Sequence, residues 1–229
     1  TCEDFVRAME EGGGIDLGQF RRWYEQAGTP KLHLALAQEG ENWFLDVTQT
    51  IPPTPGQDMK EPMMMPLRVA AYAMDGSGTV LPETMATLRD KVERIPLGPF
   101  AERPALSVNR GFSAPVIVEF ERAPGELAWL AAHDDDPFAR YEALQQLMLD
   151  TLVAAVAGEA DSRETVIGAV GQTLTGAAND PAFVAEAVLL PSEAFIGDQM
   201  VTVDPDAIRR ARLALQAGIG SALEEKWRD

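Results

Sequence analysis

Residues 31–57 read KLHLALAQEGENWFLDVTQTIPPTPGQ, and the fold turns on this stretch. Leu32, Leu34 and Leu36 alternate with Lys31, His33 and Ala35; Trp43, Leu45 and Val47 alternate with Phe44, Asp46 and Thr48. A period of two sends successive side chains to opposite faces of a pleated strand, so the stretch predicts two strands paired near Glu39-Gly40-Glu41. Pro52, Pro53 and Pro55 then end the ladder, because proline has no N–H to donate to it. They open a proline-rich loop over 51–66.

Further strands are expected at 67–74, 79–81, 89–97, 105–108 and 116–122, with a turn at Asp75-Gly76-Ser77-Gly78. About seven short strands with turn signals and no intervening helix match a small antiparallel sandwich better than a βαβ fold. Near residue 123 the composition changes. Residues 29–122 hold 11 of the 16 prolines and 9 alanines, whereas 123–229 hold 5 prolines and 22 alanines, which moves the propensity from strand and turn to helix. Asp136-Pro137, Asp180-Pro181 and Asp204-Pro205 each place a capping carboxylate before a proline whose missing N–H costs nothing at the first helical position. Asp161 with Glu164 suggests another start, and Pro191-Ser192 a shorter one. Several helices with short links predict a stacked, solenoid-like domain.

The first 28 residues read as helical. Thr1 caps a helix with Asp4 three residues on, and Gly12-Gly13-Gly14 stops it. A second short helix from about Asp16 carries Leu17, Phe20, Trp23 and Tyr24 on one stripe, richer than so short a pair can bury by itself. A covering surface outside the chain is expected. The expected division is therefore 1–28, 29–122 and 123–229.

Acids exceed bases by 36 to 19, and the net charge of −17 repels phosphate backbones and anionic lipid, so neither nucleic acid nor membrane is an expected partner. Of that charge, −11 lies on 123–229, with 18 acids and 7 bases. Cys2 is the one cysteine, which excludes an internal disulfide and fits a reducing, cytoplasmic setting. No apolar run approaches the roughly 20 residues of a membrane span.

Chemistry-bearing patterns are sparse. His33 and His133 stand 100 residues apart, outside any HExxH sequence. His33 alternates with leucines and is read as facing solvent or a partner domain. His133-Asp134-Asp135-Asp136 could suggest a hard-metal cluster, but Asp136 is the expected helix cap and the run lacks the spaced ligands of a calcium loop. Cys2 has no evident base and is read as structural. Gly12-Gly13-Gly14, Gly168 and Gly171 lack the strand–turn–helix setting of a phosphate loop, and no GxSxG elbow occurs. Met63-Met64-Met65 is read as core or loop packing, with a neighbouring domain as the alternative. Carboxylates are too abundant for their presence to nominate an acid–base pair. No catalytic, cofactor-binding or metal-binding residue is assigned.

Read in order, CEDFVRAME (2–10), FRRWYEQAGTP (20–30), TQTIPPTPGQ (48–57), FSAPVIVEF (112–120), HDDDPFARYEA (133–143), LPSEAFIGDQM (190–200) and VDPDAI (203–208) resemble the region that follows the active site in bacterial zinc aminopeptidase N (alanyl aminopeptidase). The resemblance implies a non-catalytic, C-terminal fragment. Residues 1–28 would be the helical tail of the catalytic domain, 29–122 an immunoglobulin-like β-sandwich, and 123–229 the first part of a C-terminal α-helical domain. That family removes N-terminal residues from peptides with one zinc, held by an HExxH helix and a downstream Glu, and a GxMEN-type segment binds the substrate's amine. This sequence contains neither motif, so no family site residue carries over; zinc belongs to the parent and no cofactor to the fragment. The implied role is to brace the catalytic domain and wall the peptide chamber. Implied partners are that domain, the remaining helices of the same polypeptide, and peptide substrates.

The start at Thr1 and an ending without a glycine stop are expected to be cut ends. Ile208, Leu213, Leu215 and Ile219 on the last helix are then expected to lie on faces that further helices bury, giving weak self-association that grows with salt. The rival reading is a free-standing β-sandwich plus helical protein-binding adaptor.

Overall fold

The computed structural model describes residues 1–228 apart from 124, 160–161 and 176–179. Contacts gather Thr1–Glu121 into one unit and Arg122–Asp229 into a second.

In the first unit, helix α1 (Cys2–Gly13) starts with the expected capping box, Thr1 Oγ1 accepting from Asp4 N and the Asp4 carboxylate reaching back. A 3₁₀ turn (Gln19–Arg21) leads into α2 (Arg22–Glu25). Seven strands follow: β1 (Lys31–Glu39), β2 (Asn42–Thr50), β3 (Met65–Tyr72), β4 (Val80–Leu88), β5 (Val92–Pro99), β6 (Ala105–Val108) and β7 (Ile117–Phe120). They form two sheets, ordered β5-β2-β1-β7 and β4-β3-β6. The pairing is antiparallel except between β1 and β7, which run parallel from Lys31↔Ile117 to Leu34↔Phe120. The expected antiparallel sandwich thus holds, and the parallel pair arises because β6 belongs to the other sheet. The chain crosses between sheets before β7 and meets the free edge of β1 by a crossover, and a hairpin would have forced the opposite direction.

Two strand limits also differ from expectation. β4 runs on to Leu88 through Pro82, which an edge strand tolerates because the N–H it lacks is not needed on the outer side. β5 starts at Val92, since the Glu93 carboxylate accepts from the Arg89 and Asp90 N–H groups and holds them in a turn. The core joins Leu32, Leu45 and Val47 of one sheet to Leu67, Val69 and Leu106 of the other. Met63, Met64 and Met65 are all buried, so their role is packing within this unit.

The second unit contains α3 (Glu126–His133), α4 (Pro137–Ala157), α5 (Arg163–Leu174), α6 (Pro181–Ala187), α7 (Glu193–Gly197) and α8 (Pro205–Ala222). Asp136, Asp180 and Asp204 cap α4, α6 and α8, accepting from Ala139, Phe183 and Ala207 N, and Ser192 caps α7. Ser162 stands at the start of α5, and the Asp161 of the expected cap lies outside the described residues. Leu144, Met148 and Leu152 are buried along one face of α4 at intervals of four, and Val166 and Val170 are buried on α5, which packs against α4. On α8 the expectation of an open apolar face fails. Ile208, Leu215 and Ile219 are buried, and only Leu213 of the four is half exposed, because α4, α5 and α7 already pack on this helix. Among the described residues no helix is long and apolar enough to cross a membrane.

The caps give a direct check. Asp136→Ala and Asp204→Ala should each lower stability by about 1 kcal/mol, read from the denaturant midpoint at constant slope.

Candidate functional site

Two features of the first unit follow from its proline-rich loop. A loop with so few ladder partners leaves backbone N–H and C=O groups that must be satisfied some other way. Gln49, buried at the end of β2, donates from Nε2 to Met63 O (3.0 Å) and accepts at Oε1 from Met63 N (2.6 Å). The leading helical segment completes the seam. Gln19 donates to Pro62 O and Arg89 O, Arg22 to Pro62 O, and Trp23 Nε1 to Met64 O at 2.7 Å. Gln26 donates to Glu61 O and accepts from Glu61 N, while Gln57 donates to Glu25 O and accepts from Ala27 N. Gly28, at φ +98°, lies where a Cβ would come within 3.3 Å of Pro52 O, so glycine alone fits the turn into β1.

This seam corrects the expected bare stripe. Trp23 packs against the sandwich core, so its cover lies within the chain, whereas Tyr24 is exposed and meets the half-buried Phe20 edge to face. Arg21 ties the seam to α1, contacting Glu3 (2.8 Å) and Glu10 (2.8 Å). The hydrogen bonds from Arg21, joined by one from Leu17 N, hold the Glu10 carboxyl down at about 2.

The singled-out residues fall in separate places. His33 is exposed on β1, with Nδ1 2.7 Å from Glu119 on β7 and Nε2 2.9 Å from Thr50 Oγ1 on β2. Lys31 adds a 2.8 Å pair to Glu119 and, with His33, lowers its pKa. Carboxylate, imidazole and hydroxyl stand in line, but on an open sheet face where they cross-link three strands. Sequence spacing gave no sign of it, because the three residues meet only through sheet order. His133 stacks on Trp129 at 4.7 Å and its Nδ1 lies 2.9 Å from Trp129 O. Asp134 accepts from Asp136 N, and Asp136 caps α4, so the acidic run is engaged in the local turn. Cys2 is exposed. Among the described residues no group of three or more His, Cys, Asp or Glu could hold a metal ion.

One concavity lies in the second unit. An open groove of about 510 Å³ runs between α4, α6 and α7, walled by Tyr141, Glu142, Leu149, Glu186, Leu189 and Phe195 among others. Gln145 donates to Ala187 O and Leu189 O, which fixes α4 to the link after α6 and sets the groove's width. Burial pushes the Glu142 carboxyl up from its ordinary value. The Tyr141 phenol is raised too, first by burial and then by the charges of Glu186 and Glu142. Sequence reasoning missed this groove. Glu142 and Glu186 are 44 residues apart on different helices and carry no motif.

A sandwich unit and a helical unit of this kind define a recognised class. Residues 28–121 match the family described as a domain of unknown function (DUF3458) with an Ig-like fold, and residues 124–229 match its C-terminal companion, described as ARM repeats. Over essentially its whole length the chain is similar to a segment of bacterial aminopeptidase N. It is 33% identical to aminopeptidase N of Haemophilus influenzae over 99% of its length and 36% identical to that of Caulobacter vibrioides over 100%. It spans 28% and 27% of those proteins. The crystal structure of Legionella pneumophila aminopeptidase A in complex with aspartic acid shares its fold, with a TM-score of 0.83 at 20% identity, covering 100% of this chain and 26% of that one.

Two predictions follow from the seam. Gln49→Leu strands the Met63 N–H and C=O in the interior and should cost about 2–4 kcal/mol in an unfolding titration, well beyond a surface Gln→Leu. Glu10 has its folded pKa lowered from 4.5 to about 2, so its stabilisation is complete above 4.5 and fades as pH falls toward 2. A carboxyl titration by NMR should place the Glu10 midpoint near 2. Arg21→Gln should return it toward the ordinary 4.5.

Proposed function

We propose that this chain is the non-catalytic portion of a zinc-dependent aminopeptidase that removes N-terminal residues from peptides. The observation that carries the reading is the match of the chain, over essentially its whole length, to little more than a quarter of aminopeptidase N from three bacteria, with no HExxH sequence inside it. In this reading residues 1–28 are the helical tail of the catalytic domain, 29–122 the Ig-like sandwich and 123–229 the first part of the C-terminal helical domain. Bracing is supported by the amide seam. A tail locked to the loop by bonds from Gln19, Arg22, Trp23 and Gln26 transmits the stiffness of the sandwich to whatever precedes it in the chain.

The helical unit forms one wall of the peptide chamber. The charge of −11 on residues 123–229 favours the ammonium group of a free peptide N-terminus over an anion. The chain's partners are the catalytic domain and the remaining helices of the same polypeptide, in a cytoplasmic setting. Among the described residues none is assigned a catalytic, cofactor-binding or metal-binding role. A catalytic zinc needs three protein ligands and an open position, and the described residues do not fit it: His33 and His133 lie in different units, each engaged with its own neighbours. No step of peptide hydrolysis is routed through these side chains.

Incubated with zinc and desalted, the chain should retain no stoichiometric metal and should not hydrolyse aminoacyl arylamides. One tightly held zinc per chain together with turnover would overturn the proposal.

A further inference from the structure

We propose that the groove between α4, α6 and α7 binds a basic side chain of a peptide, an arginine or lysine next to an apolar residue. The groove, at about 510 Å³, falls within the roughly 300–1,000 Å³ typical of small-ligand sites. Its walls sort into two chemistries. Glu142 and Glu186 both line it and are exposed, while Leu149 is buried and Leu189 and Phe195 are half exposed. No lysine or arginine is among its lining residues. The nearby cations have other partners: Arg140 lies over the Phe183 ring at 5.3 Å, and Arg212 Nε donates to Pro191 O.

Charge complementarity selects the occupant. Two carboxylates lining one groove are stabilised by a cation and worsened by an anion. A lysine or arginine brings its charge on an aliphatic stem that Leu149 and Leu189 can cover, and the rings of Tyr141 and Phe195 offer faces to the charged head. A purely apolar ligand would bury the carboxylates with nothing to pair them. Gln145, bonded to the Ala187 carbonyl at the end of α6 and the Leu189 carbonyl of the link after it, keeps the groove formed in the empty state, so binding need not order it. The choice of a peptide over another organic cation rests on the peptidase reading above.

The test uses the whole chain and a fluorescently labelled Leu-Arg-Leu amide, followed by anisotropy, with Leu-Glu-Leu amide and spermidine as competitors. Saturable binding of the arginine peptide is expected, with no competition from the glutamate peptide. The double variant Glu142→Gln/Glu186→Gln should weaken it about tenfold. Glu224→Gln/Glu225→Gln removes the same charge elsewhere and should change affinity by no more than about twofold. Phe195→Ser, at an exposed ring, is a second groove variant that leaves the carboxylates in place and should also weaken binding; thermal melts confirm that each variant folds. Equal weakening by the two double variants would reduce the effect to the field of the whole chain and overturn the proposal. So would absent or non-saturable binding, equal binding of the glutamate peptide, or binding of spermidine alone. None of these outcomes bears on the zinc and arylamide test, so failure here is distinguishable from failure of the peptidase reading.

Discussion

A backbone that runs through Pro52, Pro53, Pro55 and Pro62 cannot satisfy itself by pairing as a strand, yet it crosses the end of a closed sandwich. Side-chain amides resolve the conflict. A glutamine carries both a donor and an acceptor and can replace a missing ladder partner, which Gln49, Gln26 and Gln57 each do by bonding one N–H and one C=O. The seam fixes three things at once. It closes the core over Met63 and Met65, seats Trp23 on the sandwich, and joins residues 1–28 to the strands so that both fold in one unit.

Legibility in the sequence followed the range of the interaction. Helix starts depend on three or four neighbouring residues, and Asp136, Asp180, Ser192 and Asp204 could be read directly. The alternation of 31–48 likewise marked β1 and β2 without knowledge of their partners. What local reading missed was non-local. The parallel direction of β7 depends on which sheet β6 joins, and the extent of β4 depends on its being an edge. Trp23 reads as bare in a local window because its cover is more than 40 residues away, at Met64. The apolar residues of α8 read as open because the helices that cover them carry no signal that they return to it.

The groove shows the same limit at the level of function. Its carboxylates are two of 36 acids, distinguished only by where α4 and α6 place them, and no local pattern separates them from residues on a solvated face. The family motifs were legible for the opposite reason. FRRWYEQAGTP and TQTIPPTPGQ hold Trp23, Gln26, Gly28, Gln49 and Gln57, which are the residues of the seam. The stretches that carry the resemblance are thus the ones whose chemistry joins the leading helices to the sandwich.

Amide hydrogen exchange on the intact chain tests that junction most directly. Ala27, Glu61 and Met63 each give their N–H to a glutamine oxygen rather than to a strand partner. If the seam is part of the folded unit, Met63 N–H exchanges as slowly as the amides of β1 and β2, and Gln49→Leu makes it fast. Exchange of Met63 at the rate of an open loop in the unmodified chain would show that the proline-rich segment is held by nothing more than the ends of its neighbouring strands, and would contradict the seam as the device that fixes this segment to the sandwich.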